Sequence, residues 1–213
     1  MTSDGISQDG SPREDASPED SPLRTRFLAA GMRVLGRDGY KGFKQAAVCE
    51  ETGLTTGAFY HSFRNWKEFE GELIEHWRIE TTDRLIEWLD EEVDVDDRIE
   101  ALIQVAIHLP HRSEAAIRVW AAGDERIHEA LAQVDEIRRE TIARHFRGIG
   151  VDDDHAQQFA ALCMLLLAGH EAAGTSLEQY EWSLRHCVDT DPKIQEAMAR
   201  RAAAKADAAG STA

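Results

Sequence analysis

The residues best equipped for chemistry lie in one short stretch, Thr55-Thr56-Gly57-Ala58-Phe59-Tyr60-His61. On a helix begun by Thr55, Phe59 and Phe63 stand four apart and turn inward, so Thr56, Gly57, Tyr60 and His61 share the opposite edge. Hydroxyls, an imidazole and a phenol along one edge can hydrogen-bond base edges and phosphate oxygens, and the glycine permits close approach. Lys44, Gln45, Arg64 and Lys67 flank this edge and add phosphate donors. Other constellations are weaker. His108 and His111 around Pro110, and His170 beside Glu171, are metal-ligand types, but neither pair gains a third ligand at helical spacing. No phosphate-cradling glycine loop, nucleophile elbow or suitably spaced Ser/His/Asp set is present. The expectation is a protein with no metal, no cofactor and no enzymatic activity.

The formal net charge of −16 over 213 residues opposes a nucleic-acid partner when taken whole. Its distribution does not. Residues 1–22 hold one basic and six acidic side chains, residues 23–67 hold eight basic and three acidic, and residues 68–213 hold fifteen and thirty-one. One short basic segment therefore sits in an acidic chain, as a DNA-reading head on an acidic body would, although a solvated basic face on a structural helix gives the same count. Cys49, Cys163 and Cys187 stand far apart and fit neither a disulfide framework nor a metal knuckle, which makes them reduced thiols. The longest apolar run, Phe159 to Ala168, is half of the roughly 20 residues that cross a bilayer, and the amino terminus lacks a signal core. A cytoplasmic protein with no membrane partner is expected.

The elements that must hold these residues read as all-α. From Pro22 onward apolar residues recur at helical spacing and no segment alternates with period two. Residues 1–20 are too poor in large apolar side chains to order and form an expected disordered acidic tail. A first helix is predicted over 22–38, capped by Ser21 and stopped by Gly39, with Phe27, Leu28, Gly31, Val34 and Leu35 inward. A short helix over 44–52 closes at Gly53, and Thr55 caps the next. Two very short helices joined by a tight glycine turn match a helix-turn-helix, whose second helix enters a major groove about 12 Å wide. Periodicity alone leaves a structural helical hairpin equally open. Asn65 with Glu68 begins a long helix over 66–90, followed by helices over 96–108, 113–122 and 124–147. Asp154 with Gln157, Ser176 with Gln179 and Asp191-Pro192 open the last three, the final one fraying after Arg201. Ala156, Ala160, Ala161, Ala168, Ala172 and Ala173 beside Leu165, Leu166, Tyr180 and Leu184 are suited to close packing against a symmetry mate, or to burial within one subunit.

The string Gly39-Tyr40, Ala47-Val48-Cys49, Gly53-Leu54-Thr55-Thr56-Gly57-Ala58-Phe59-Tyr60-His61-Ser62-Phe63, then Asn65 and Phe69, closely resembles the TetR family of bacterial regulators over residues 23–75. The resemblance implies a DNA-binding domain over 21–67 and a helical ligand-binding and dimerisation domain over 68–205, and a frayed tail is expected over 206–213. It also implies a homodimer built on the helices at about 154–174 and 176–188, a palindromic double-stranded operator as partner, and repression relieved by a small-molecule effector. By the same resemblance, base or backbone contacts fall on Gln45, Thr55, Thr56, Gly57, Tyr60 and His61. Ser62, Trp66 and Phe43 depart from the family pattern, which usually has His, Lys and a capping Thr there; two phosphate contacts are thereby weakened. The family's ligand lies among its fourth to eighth helices, making Trp88, Ile107, His108, Trp120, Met164, Leu167 and His170 the candidate lining, against an ordinary packed core. A helical ligand-binding or adaptor protein without DNA binding is the rival reading.

Overall fold

The computed structural model describes residues 22–210, and among them every regular element is helical. The expected tail over 1–20, Ser21 as a cap, and residues 211–213 lie outside the described residues. The first helix, α1 (Pro22–Gly42), buries Phe27, Ala30, Gly31, Val34 and Leu35, with Leu28 packed at the edge of the core. Gly39, at φ 66° and ψ −179°, breaks the first helix where the sequence predicts, and a further short helical turn runs on to Gly42. α2 (Gln45–Thr52) ends where Gly53, at φ 67°, turns the backbone left-handed so that the Leu54 amide donates to the Cys49 carbonyl at 3.1 Å. α3 (Thr56–Ser62) begins with the Thr55 hydroxyl accepting from the Ala58 amide at 3.2 Å. At α4 (Trp66–Arg78), Asn65 Oδ1 accepts from the Glu68 amide at 2.9 Å, and Glu68 reaches back to the Arg64 amide at 2.8 Å.

The single helix expected over 66–90 is interrupted. A π-helical turn, Ile79–Asp83, separates α4 from α5 (Arg84–Glu91). The Thr81 hydroxyl donates to the Trp77 carbonyl at 2.7 Å, and the Thr81 carbonyl accepts from Arg138 at 3.2 Å, so side chains compete for groups the α ladder would use. α6 (Arg98–His108), α7 (His111–Ala121) and α8 (Glu125–Gly148) follow. α9 (Asp153–Ala173) is capped by Asp152, which accepts from the His155 amide, and not by Asp154. α10 (Leu177–Thr190) is capped by Ser176 as the sequence predicts. The last helix, α11 (Pro192–Gly210), runs past Arg201 instead of fraying there: its residues 202–209 are mostly alanine, and Arg201 and Lys205 both bind Asp96.

Two cores organise these helices. The first joins Phe27, Val34, Phe59, Phe63 and Phe69 of α1, α3 and α4 to Ile117 and Trp120 of α7 and Val134 of α8. The second fills the far half with Ile103, Phe146, Phe159, Leu167, Tyr180 and Ile194, drawn from α6 and α8 to α11. Each fully buried aromatic or aliphatic side chain contributes about 1.5–3 kcal/mol. The two are linked by a buried polar junction. Glu114 of α7 receives Trp77 Nε1 at 2.9 Å from α4 and a two-pronged pairing from Arg138 of α8 at 2.8 and 2.9 Å; Arg138 Nε also donates to Thr82 at 3.1 Å.

Candidate nucleic-acid interface and internal cavity

An aromatic cluster beneath α3 sets the direction of its outer edge. Phe59 and Phe63 are fully buried, with Phe27 edge-on to Phe59 at 5.5 Å and Phe69 edge-on to it at 5.3 Å. Fixing those two rings turns Thr55, Thr56, Gly57, Tyr60 and His61 outward, and all five are exposed. The sequence therefore identified the outer edge correctly as a set of exposed residues. Within it the roles differ. The Thr55 oxygen is occupied as the helix cap. The Tyr60 hydroxyl donates to Gln45 Oε1 at 3.3 Å, linking α3 to the start of α2, while Gln45 Nε2 is buried without a partner. Thr56 bonds the Cys49 thiol, whose ionisation burial disfavours.

Most arginines of the basic segment turn out to be internal braces. Arg24 pairs with Glu72, donates to the Ser62 carbonyl and lies 4.8 Å over the Phe63 ring. Arg26 donates to the Thr52 carbonyl at 2.6 Å, and Arg33 and Arg37 both bind Glu51, holding its carboxyl below the ordinary range. Lys41, Lys44 and Lys67, by contrast, are exposed and make no ion pair among the described residues. Arg64 is 90% exposed, with only a 3.9 Å approach to Glu68. Exposed positive charge thus flanks α3 at Lys44, Arg64 and Lys67.

The three departures from the family pattern have structural explanations. Ser62 is buried and donates to the Ala58 carbonyl at 3.2 Å. Trp66 packs 4.8 Å from Phe43 and 4.9 Å from Phe69, so it fills the aromatic core instead of reaching outward. Phe43 is buried too, and α2 consequently starts at Lys44 with no side-chain cap.

Beneath the π turn lies an apolar cavity of about 100 Å³. Leu85, Ile103, Phe146, Phe159, Met164 and Leu167 supply much of its wall, and Thr81, Thr82, Arg138, Thr141 and Tyr180 its polar groups. Of the seven residues expected to line a ligand site, Met164 and Leu167 stand in the wall of this cavity. Trp88 and His108 line a shallower outer recess that shares Thr81, Leu85, Val105 and Leu109 with the cavity. His170 stands one layer back, stacked at 4.6 Å on the Tyr180 ring. Ile107 is buried in the second core and Trp120 in the first, stacked on Tyr40 at 5.3 Å; both point away from the cavity wall because their helix faces pack on neighbours. Sequence reasoning missed Arg138 and Glu114. The available signal was a charge in an apolar stripe: Arg138 follows Leu131 and Val134 by seven and four, and Glu114 precedes Ile117 by three.

Burial alone would raise the Glu114 carboxyl, but the Arg138 charge and hydrogen bonds outweigh it and hold the group well below the ordinary range. Burial raises the Tyr180 phenol and pushes the Cys163 thiol up to about 12. Glu171, bound to Arg118 and 3.7 Å from His111, is raised by its burial. Among the described residues no three His, Cys, Asp or Glu side chains cluster as a metal site, and no helix is long and apolar enough to cross a membrane.

Residues 27–69 match the family model described as bacterial regulatory proteins, tetR family. No curated protein sequence matches the chain. Several solved structures share its fold. A putative transcriptional regulator from Saccharomonospora viridis, in complex with choline, superposes with a TM-score of 0.67 at 18% identity over 79% of this chain and 96% of its own. E. coli NemR in its reduced form gives 0.65 at 20% identity, over 79% and 96%. A transcriptional regulator from Rhodococcus sp. Rha1 gives 0.62 at 22% identity, over 77% and 92%.

Proposed function

We propose that this chain, a TetR-type regulator by its amino-terminal family match and its helical fold, is a homodimeric repressor that binds a palindromic operator and is released by a small molecule. The observation that carries the reading is the exposed edge of α3, with Thr56, Gly57, Tyr60 and His61 outward and the exposed cations Lys44, Arg64 and Lys67 around it. Residues 21–67 form the reading head and 68–205 the body in this proposal. Thr56, Gly57, Tyr60 and His61 face base edges; Lys44, Arg64 and Lys67 hold phosphates; Thr55 and Gln45 position α3 and its tyrosine.

Two heads on a two-fold axis would meet successive major grooves about 34 Å apart. The dimer is assigned to α9 and α10, where Leu162, Leu165, Leu177 and Trp182 are exposed. Tyr180, Leu184, Ala156 and Ala160 are buried within the subunit and so do not join that surface. The cavity beneath the π turn is the effector site in this proposal. A ligand there acts on the operator equilibrium only through its different affinity for the DNA-bound and free forms.

The test is titration of the upstream DNA with wild type, Tyr60→Ala and Lys44→Ala across a salt series. Tyr60→Ala should weaken operator binding at least tenfold, and Lys44→Ala should lower the salt slope by about 1. Unchanged affinity and slope in both would exclude α3 as the reading helix and favour a ligand-binding protein without DNA binding.

A further inference from the structure

We infer that the cavity accepts an uncharged, mainly apolar molecule carrying a group that can hydrogen-bond the Thr141 or Tyr180 hydroxyl, and rejects both organic anions and organic cations. This deepens the effector-site reading and rests on it.

The wall contains one ionised side chain, Arg138, and no Asp or Glu. Arg138 looks at first like an anchor for an anionic ligand, but each of its nitrogens is already engaged. Nε donates to Thr82, Nη1 and Nη2 clasp the two Glu114 oxygens, and Nη2 also meets the carbonyl and hydroxyl of Thr81. A ligand carboxylate would have to displace Glu114 from a fully buried pairing or enter beside it as a second negative charge, and both are unfavourable in a dry site. A cation fares no better. Glu114 is 1% exposed behind Arg138, so no carboxylate reaches the cavity to receive it. The Cys163 thiol and Tyr180 phenol stay protonated and give no anionic partner either.

What remains is apolar surface with hydroxyl groups set in it. Thr141 and Tyr180, both buried, line the cavity, and a hydroxyl can donate to or accept from a ligand alcohol, carbonyl or amine. The selectivity is thus built from an apolar wall, an arginine held by Glu114, Thr81 and Thr82, and the hydroxyls of Thr141 and Tyr180.

The test uses N-phenyl-1-naphthylamine and 8-anilino-1-naphthalenesulfonate, which share a skeleton and differ by the sulfonate, with fluorescence as readout on the full chain. The amine should bind and the sulfonate at least thirtyfold more weakly; decanol should displace the amine, while decanoate and decyltrimethylammonium should not. Thr141→Val with Tyr180→Phe should weaken decanol about tenfold at unchanged circular dichroism, and Met164→Trp, which fills the cavity, should abolish the dye signal. Equal or tighter binding of the sulfonate, displacement by either charged decyl compound, no binding of the amine, or dye binding untouched by Met164→Trp would each overturn the proposal. Operator binding in the same samples separates the two readings. Decanol that binds without releasing DNA refutes the effector site and leaves the ligand class standing; decanoate that releases DNA does the reverse.

Discussion

A methyl group added at Gly57 would meet only Thr55 Oγ1, at 3.6 Å, and the residue has no positive φ, so the fold itself does not require glycine there. Gly57→Ala should leave thermal stability unchanged or raise it by up to about 1 kcal/mol, because alanine is the better helix former. Operator affinity should nevertheless fall at least tenfold if the α3 backbone closes on DNA, and equal affinity in a gel-shift would remove that contact from the scheme. Glu114 presents the opposite case, a residue demanded by the interior. Glu114→Ala leaves Arg138 buried and unpaired and should cost about 3–5 kcal/mol in urea unfolding, whereas replacing both partners with apolar residues should recover much of the loss. Because its carboxyl is held below the unfolded value of 4.5, Glu114 contributes stability above that pH and loses it as pH falls further. His145, kept neutral by burial, works in the same direction below pH 6.5, since the unfolded chain takes up a proton that the folded one resists. Urea midpoints should therefore drop from pH 7 to pH 4, and less steeply in Glu114→Gln. At this scale the outer edge of α3 was legible because two buried phenylalanines fix it; Trp120 and Tyr180 were not, since a large aromatic on an amphipathic helix gives no sign of which neighbour it meets.

Helix boundaries were readable wherever a cap has a sequence signature. Thr55, Asn65, Ser176 and Asp191-Pro192 open helices as their spacing predicts, and Gly53 and Gly174 close them. Asp152 was missed because three consecutive aspartates offer equivalent caps, and the choice is made by which one reaches the His155 amide. The π turn had no local signal: Thr81 and Thr82 read as ordinary helix residues until Arg138, 57 and 56 positions away, claims their oxygens. Thr82→Val should strand Arg138 Nε and cost about 1–3 kcal/mol in chemical denaturation. Its effect should be additive with Thr55→Ala, which removes a cap worth about 1 kcal/mol on a separate element. Strong non-additivity between them would mean that the turn and α3 are coupled.

For the whole molecule, the exposed apolar side chains of α9 and α10 predict that Leu165→Asp, at a site 71% exposed and therefore harmless to the subunit core, yields a monomer in sedimentation. Such a monomer should keep its helical spectrum and lose most operator affinity, since one head grips only one half-site. A variant that stays dimeric would move the interface elsewhere. The fold class was legible because helical spacing persists across the described residues, but the sharing of one core by α1, α3 and α4 with α7 and α8 was not. α1 runs so close to α7 that a Cβ at Gly36 would stand 2.8 Å from Ser113 Oγ, which donates to the Met32 carbonyl, and Tyr40 and Phe43 both lie against Trp120. The head is accordingly no detachable cassette. Excised alone it would bare the greasy underside that α7 normally covers, and a foreign segment grafted in its place would succeed only if it brought its own counterpart to Gly36, Tyr40 and Phe43.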